Sequence, residues 1–230
     1  MLIRSCPFLF GMQAKHIHTV IRTVEREIAR LPEPVVGIVA RQSGHDPFLV
    51  LIACLLSLRT KDKTTGEASE RLFALASTPT VMQTLSLAVI EKAIYPVGFY
   101  RTKAKQIRQI CAQLLDRYAG FVPDNLDELL TLPGVGRKTA NLVMTVGYQK
   151  PGICVDIHVH RISNRWGYVT TKTPDETEQA LRKKLPRQYW IIFNDLLVPY
   201  GQHICQPVSP LCSRCPLTNY CARVGVKHSR

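Results

Sequence analysis

Over residues 16 to 30, "HIHTVIRTVEREIAR", the apolar positions Ile17, Val20, Ile21, Val24 and Ile28 recur at intervals of three and four, the pattern of a helix buried along one side. The period returns over 102 to 118, "TKAKQIRQICAQLLDRY". There it turns Ala104, Ile107, Ile110, Cys111, Leu114 and Tyr118 inward and leaves Lys103, Lys105 and Arg108 off that face. By contrast "PFLVLIACLLSL", 47 to 58, is apolar without a period. It is shorter than the roughly 20 residues that cross a bilayer, so it reads as a buried central helix and not a membrane span. Residues 126 to 148 scan as helix, tight turn, helix, with Leu126, Leu129 and Leu130 before the turn and Ala140, Val143, Met144 and Gly147 after it. "TPDE", 173 to 176, opens another helix: Thr173 as cap, Pro174 at the first helical position, and Glu176 three after the cap. No convincing alternating strand, repeat or low-complexity stretch interrupts this, and the expected fold class is all-α with two helical domains. The break at Lys150-Pro151-Gly152 places the boundary. Residues 40–150 form a central helical domain, 151–230 a C-terminal helical domain, and 1–39 a segment whose helix packs with the latter.

Thirty Lys and Arg stand against seventeen Asp and Glu, for a formal net charge of +13. That balance marks a polyanion binder, nucleic acid first and anionic membrane second. No basic amphipathic helix supports the membrane, so the expected partner is DNA. The opening "MLIRSCPFLFGM" is interrupted by Arg4, Cys6 and Pro7 and lacks a small-residue cleavage pattern, so it does not read as a signal peptide, and Met12 is a second candidate start. Cys6, Cys54, Cys111 and Cys154 lie singly in apolar surroundings and read as small core residues. Cys205, Cys212, Cys215 and Cys221 crowd together, separated by six, two and five residues. In a reducing compartment four clustered thiols mean a metal site, and their softness suits zinc or an iron-sulfur cluster equally.

The turn inside 126 to 148 carries the chemistry. In "LPGVGRKTAN", 132 to 141, Gly134 and Gly136 lack Cβ, so the backbone around Val135 can approach an anion where the following helix begins. A nucleic-acid phosphate fits, with Arg137 and Lys138 alongside. Gly-x-Gly alone is an ordinary tight turn; the longer run is far more specific.

That run, with "VDIHVHRISNRWG" at 155 to 167 and the cysteine spacing, resembles the endonuclease III family of helix-hairpin-helix DNA glycosylases, in which such a hairpin and a following Val-Asp-Thr-His frame the active site. Lys138 and Asp156 keep the family's interval of eighteen positions, and "LLSLRTKD" and "VGFYRTKAKQI" extend the likeness from about Ile17 to Cys221. The resemblance implies a bifunctional DNA glycosylase and abasic-site lyase that removes oxidised or damaged pyrimidines from duplex DNA. Lys138 is then the nucleophile at the sugar C1′ and Asp156 the carboxylate that stabilises its positive charge. A lysine nucleophile must act as the neutral amine, which desolvation, a helix N-terminus or a cation such as Arg137 favours. Asp156 equally suits a helix N-cap. By resemblance one of His158 and His160, with His158 the candidate, lies near a phosphate, although a structural histidine fits either position equally, and Asp62 is a pocket-lining or structural carboxylate.

Reaching a base inside a duplex requires the nucleotide to be extruded and the gap filled. By resemblance Arg59 contacts the opposite base, where many relatives carry Gln, and Phe99 is either the apolar wedge or plain core at a helix junction. The cysteines become a 4Fe-4S cluster loop, with zinc as the alternative; its loop "QPVSPL" has no basic residue, leaving Arg214 and Arg223 as the nearest. A monomer acting on damaged or abasic double-stranded DNA at a cytoplasmic, prokaryotic nucleoid is expected. One rival is a monofunctional mismatch or adenine glycosylase, against which stand Lys138, where adenine-mismatch enzymes carry Ser, and the short stretch after Cys221. A second is a non-catalytic helix-hairpin-helix DNA-binding module.

Overall fold

A computed structural model describes residues 12–230, so Cys6 and the question of the chain's start lie outside the described residues. Those residues form twelve α-helices: α1 Ile17–Ile28, α2 Val35–Gln42, α3 Pro47–Ser57, α4 Asp62–Leu75, α5 Pro79–Thr84, α6 Leu87–Ile94, α7 Tyr100–Arg117, α8 Leu126–Leu129, α9 Arg137–Leu142, α10 Ile157–Arg165, α11 Pro174–Lys184 and α12 Phe193–His203. No strand occurs among them, and none of these helices is long and apolar enough to cross a membrane. The chain divides into two compact units, one spanning Glu33–Cys154 and the other joining the described residues up to Pro32 to Val155–Arg230.

In the Glu33–Cys154 unit everything is arranged about α3. Asp46 caps it, accepting from the amides of Phe48 and Leu49, and Pro47 occupies the first position, where a missing N–H costs nothing. Its apolar surface faces two cores at once. Leu51, Ile52, Leu55 and Leu56 join α4, α6 and α7, while Val50, Ala53 and Cys54 join Val35, Val36 and Val39 of α2 with Leu142 and Val146. A helix apolar all round is stable only when enclosed in this way.

Two expectations are corrected here. Lys103, assigned to the polar side of α7, is 4% exposed. Its Nζ donates to Leu56 O at 3.0 Å and Leu58 O at 2.5 Å and approaches Thr60 Oγ1 at 3.4 Å. The end of α3 leaves carbonyls that no helical amide can reach, and the ammonium meets that need. The hairpin arms are also shorter than the pattern suggested. Asn125 caps a single turn, α8, Leu130 is exposed, and after Leu142 the second arm widens into a π-turn over Val143–Gly147.

In the other unit α1 and α10 pack on α12, and α11 packs on α10. Ile17, Val20, Ile21 and Val24 are buried, as are Val159, Ile162, Trp166, Phe193, Leu197 and Tyr200. Thr173 caps α11 by accepting from Glu176 N, while the Glu176 carboxylate accepts from Lys172 N, one residue before the cap.

Burial lowers the Lys103 pKa from 10.5 to about 8. Between those values the unfolded chain holds a proton that the folded chain has released, so the cost of burying the charged amine is full below about pH 8 and is relieved as pH rises toward 10.5. Chemical denaturation of wild type and Lys103→Met should therefore show a steeper gain in stability between pH 8 and 10 for the wild type. Parallel curves would contradict a buried, depressed Lys103.

Candidate active site

The hairpin is fixed from inside and open outside. Leu129, Leu132 and Val135 are buried, and the Val135 N–H donates to Leu132 O at 3.1 Å. That amide, counted among the anion-facing groups in the sequence, is therefore engaged within the turn itself. Gly134 has φ +76, so the backbone favours glycine, and a Cβ there would fall 2.6 Å from the Gln106 amide of α7, whose flexible side chain would have to move aside. Gly136 differs. It caps α9 in extended backbone, and a Cβ built there meets nothing within 4 Å. The α9 ladder begins with Ala140 N bonded to Gly136 O, so the amides before Ala140 lie outside it, at the end where the helix dipole favours an anion.

Lys138, second in α9, is half-buried, and Arg137 precedes it. The backbone beneath is held at two points: Asn141 Nδ2 donates to Arg137 O at 3.2 Å, and the buried Cys154 thiol donates to Lys138 O at 3.7 Å. Cys54, Cys111 and Cys154 are all buried, as their apolar settings implied, and burial raises the Cys111 pKa to about 12.

Asp156 belongs to the other unit. It is 7% exposed and caps α10, its Oδ1 accepting from His158 N at 2.8 Å and Val159 N at 2.9 Å. His158 Nδ1 stands 3.1 Å from the guanidinium of Arg161, against Gly201 of α12, where a Cβ would lie 2.5 Å away. His160 has a structural setting, with Nδ1 2.6 Å from Thr177 Oγ1.

Arg59 and Phe99 are brought together within the hairpin's unit. The guanidinium carbon lies 5.5 Å from the Phe99 ring centre, and both residues have left-handed backbone, with φ of 54 and 58. Phe99 is 63% exposed, so it is not core. Gly98 allows the approach, since a Cβ there would sit 2.7 Å from Arg59 O. Asp62 is exposed at the first position of α4.

Cys205, Cys212, Cys215 and Cys221 are free thiols, each half-buried. They lie within reach of one another's charge. Burial raises Cys215 and takes Cys221 to about 11, and the neighbouring thiols add to both shifts. Hydrogen-bonding partners surround the sulfurs: Tyr200 OH is 3.0 Å from Cys215 Sγ, Arg165 Nη1 donates to Cys205 Sγ at 3.5 Å and Arg223 N to Cys221 Sγ at 3.4 Å, and Cys221 Sγ donates to Arg165 O at 3.5 Å. Four crowded thiols whose deprotonation is mutually opposed, with hydrogen bonds aimed at sulfur, form a donor set suited to a thiolate-bound metal group. Among the described residues no three His, Cys, Asp or Glu side chains close on a point that would hold a single ion.

The pattern of residues overlooked Arg161 and Arg165, one turn apart on α10. Arg161 Nη2 donates to Gly201 O and Cys205 O, and Arg165 donates to Gln206 O and Pro207 O, so α10 grips the start of the cysteine loop. Their spacing of four was the available signal, and nothing in it distinguished a buried clamp from a solvated pair.

A family model described as HhH-GPD superfamily base excision DNA repair protein matches residues 52–187. The chain is 50% identical over 176 residues to endonuclease III of Thermotoga maritima, a match covering 76% of this chain and 83% of that protein. It is 45% identical over 183 residues to the chloroplastic endonuclease III homolog 2 of Arabidopsis thaliana, covering 76% of this chain and 47% of the relative, about half its length. Among solved structures it is similar to a trapped endonuclease III-DNA covalent intermediate, an estranged-adenine complex, at TM-score 0.79 and 34% identity over 92% of this chain and 97% of that one.

The two hairpin glycines should respond differently to a methyl group. Gly134→Ala should destabilise by roughly 1–3 kcal/mol, through left-handed strain and collision with Gln106, whereas Gly136→Ala should change stability by less than about 0.5 kcal/mol. Thermal unfolding of the two variants beside wild type checks this, and equal losses would contradict it.

Proposed function

This chain belongs to the endonuclease III family of HhH-GPD base excision DNA repair proteins, and on that premise we propose that it is a DNA glycosylase and abasic-site lyase acting on duplex DNA with oxidised or otherwise damaged pyrimidines. The observation that carries the reading is Lys138 in the first turn of α9, just behind the open backbone of Gly136. A phosphate received at that helix end would bring its sugar to the amine.

The Lys138 amine attacks C1′, and the C1′–N bond breaks with its electron pair leaving on the base, which takes up a proton. The attached nitrogen gives up a proton and its lone pair opens the sugar ring, breaking the C1′–O4′ bond as O4′ takes up a proton; the resulting imine acidifies the C2′ hydrogen. Loss of that proton expels the 3′ phosphate, and water then releases the lysine. Asp156 stabilises the positive charge that builds on the sugar as the base departs. In this reading one carboxylate both caps α10 through Oδ1 and stabilises that charge. Phe99 fills the gap left by the extruded nucleotide and Arg59 meets the opposite base; their support is exposure and mutual contact at the tips of adjacent segments. His158 lies near a phosphate, and Asp62 contributes to the pocket.

Cys205, Cys212, Cys215 and Cys221 would hold a 4Fe-4S cluster, which would keep their loop folded, while base removal proceeds through Lys138 and Asp156. Family membership supports this over zinc, while the sulfur-directed hydrogen bonds suit either group. The +13 charge supports a monomer working on chromosomal DNA, as at a nucleoid. The Glu33–Cys154 unit carries the hairpin, the lysine and the probing residues, and the other unit carries the aspartate and the cysteines.

Borohydride trapping on duplexes containing thymine glycol, dihydrouracil or an abasic site tests the reading. Wild type should trap on damaged and abasic duplexes, and Lys138→Ala on neither. Asp156→Asn, which keeps a good cap, should retain stability within about 1 kcal/mol while base excision falls about 10²–10³-fold. Trapping on the abasic site alone would reduce the enzyme to a lyase, and none at all, with salt-sensitive binding intact, would favour a monofunctional enzyme or a binding module. Gly136→Ala should weaken duplex affinity about tenfold, or 1.4 kcal/mol. Purified protein should contain about four iron and four acid-labile sulfide per chain; one zinc and no sulfide would overturn the cluster assignment.

A further inference from the structure

The buried amine of Lys103 has no part in the chemistry above, yet it connects the two residues given to probing the duplex. Its three hydrogen-bonding contacts are Leu56 O, in the last turn of α3, and Leu58 O and Thr60 Oγ1, the latter two flanking Arg59. On its own helix it stands four residues beyond Phe99, and its backbone N–H donates to Phe99 O at 3.0 Å. Thr60 Oγ1 also accepts from Gly98 N at 3.1 Å, joining the two segments a second time. Arg59 and Phe99 both hold left-handed backbone. Such backbone costs a non-glycine residue on the order of 1 kcal/mol or more and persists only where surroundings impose it. The Lys103 side chain holds the Arg59 segment from the helix whose first turn closes on Phe99, and the Thr60 hydroxyl ties that segment to Gly98, so together they supply the constraint.

We propose that Lys103 is a positioning residue for the opposite-base contact: by gripping the residues on either side of Arg59 from the helix that follows Phe99, it fixes the outward geometry of both side chains and so sets discrimination of the base facing the lesion. This rests on the roles given to Arg59 and Phe99 in the proposed function. A lysine suits the task because its ammonium offers three donors from one point, matching two carbonyls and a hydroxyl. A lysine that served only to fill the core would alter the folded fraction and leave selectivity alone.

The test uses the full chain as wild type, Lys103→Met and Thr60→Val. Single-turnover excision of thymine glycol is measured opposite each of the four bases, normalised to the competent fraction by trapping amplitude on an abasic duplex at saturating enzyme. In parallel, 2-aminopurine opposite an abasic site reports unstacking of the opposite base. In Lys103→Met the spread of rates across opposite bases should shrink and duplex KM should rise about tenfold, with a smaller change in kcat and a reduced 2-aminopurine signal. Thr60→Val should move the same readouts in the same direction, by less. Selectivity, KM and 2-aminopurine emission unchanged in both variants would overturn the proposal, as would a wild type indifferent to the opposite base. If Lys103→Met does not fold, Thr60→Val alone decides. Failure of the underlying reading is seen elsewhere: no trapping by wild type on any duplex removes the glycosylase, and unchanged selectivity in Arg59→Ala removes the role given to Arg59.

Discussion

A helix that is apolar on every side can exist only inside other helices, and α3 imposes that condition on the whole Glu33–Cys154 unit. The two cores lie on opposite sides of α3, and α2, α4, α7 and α9 are placed by the need to cover it. Its start is closed by Asp46 and Pro47. Its end is the harder problem, because carbonyls there are buried with no helical amide beyond them. Lys103 answers it, and the arrangement of the Arg59 segment follows from that answer. The hairpin is placed by the same enclosure: α9 and its π-turn cover α3, so the position of Lys138 is inherited from the packing of a helix with no exposed residue.

Much of this was legible in the chain. The periodicity of α1 and α7, the aperiodic run of α3 and the Thr173-Pro174 start all describe local choices, and the fold kept them. What the pattern misread were positions where tertiary demand outweighed local character. Lys103 looked polar and lies inside because backbone carbonyls 45 and 47 residues away required a donor. Leu130 looked internal and lies outside because α8 is a single turn. Phe99 looked equally suited to core or surface, and only the left-handed turn before α7 decides. At the candidate site the glycines, the lysine and the aspartate carried signals of their own type and spacing. Gln106, Cys154, Arg161 and Arg165 did not, since a supporting residue is defined by what it touches and not by its own chemistry.

The second unit shows a similar economy. Asp156 begins α10, and Arg161 and Arg165 further along that helix bind the carbonyls that open the cysteine loop. The helix that orients the carboxylate is thus the one that anchors the loop, so disorder at the thiols would be felt first along α10. Buried guanidinium groups are costly unless every donor finds an acceptor, which makes this join strict in its geometry.

The outward pose of Arg59 and Phe99 has a kinetic meaning. Because backbone holds these side chains out, the entropy of ordering them is lost at folding and not again at each encounter. Under the proposed reading nearly every encounter is with intact duplex, where a probe assembled anew at each base pair would slow the search. A probe whose backbone is already set can be offered and withdrawn without rebuilding its turns, which under that reading leaves charge as the main term in residence on undamaged DNA.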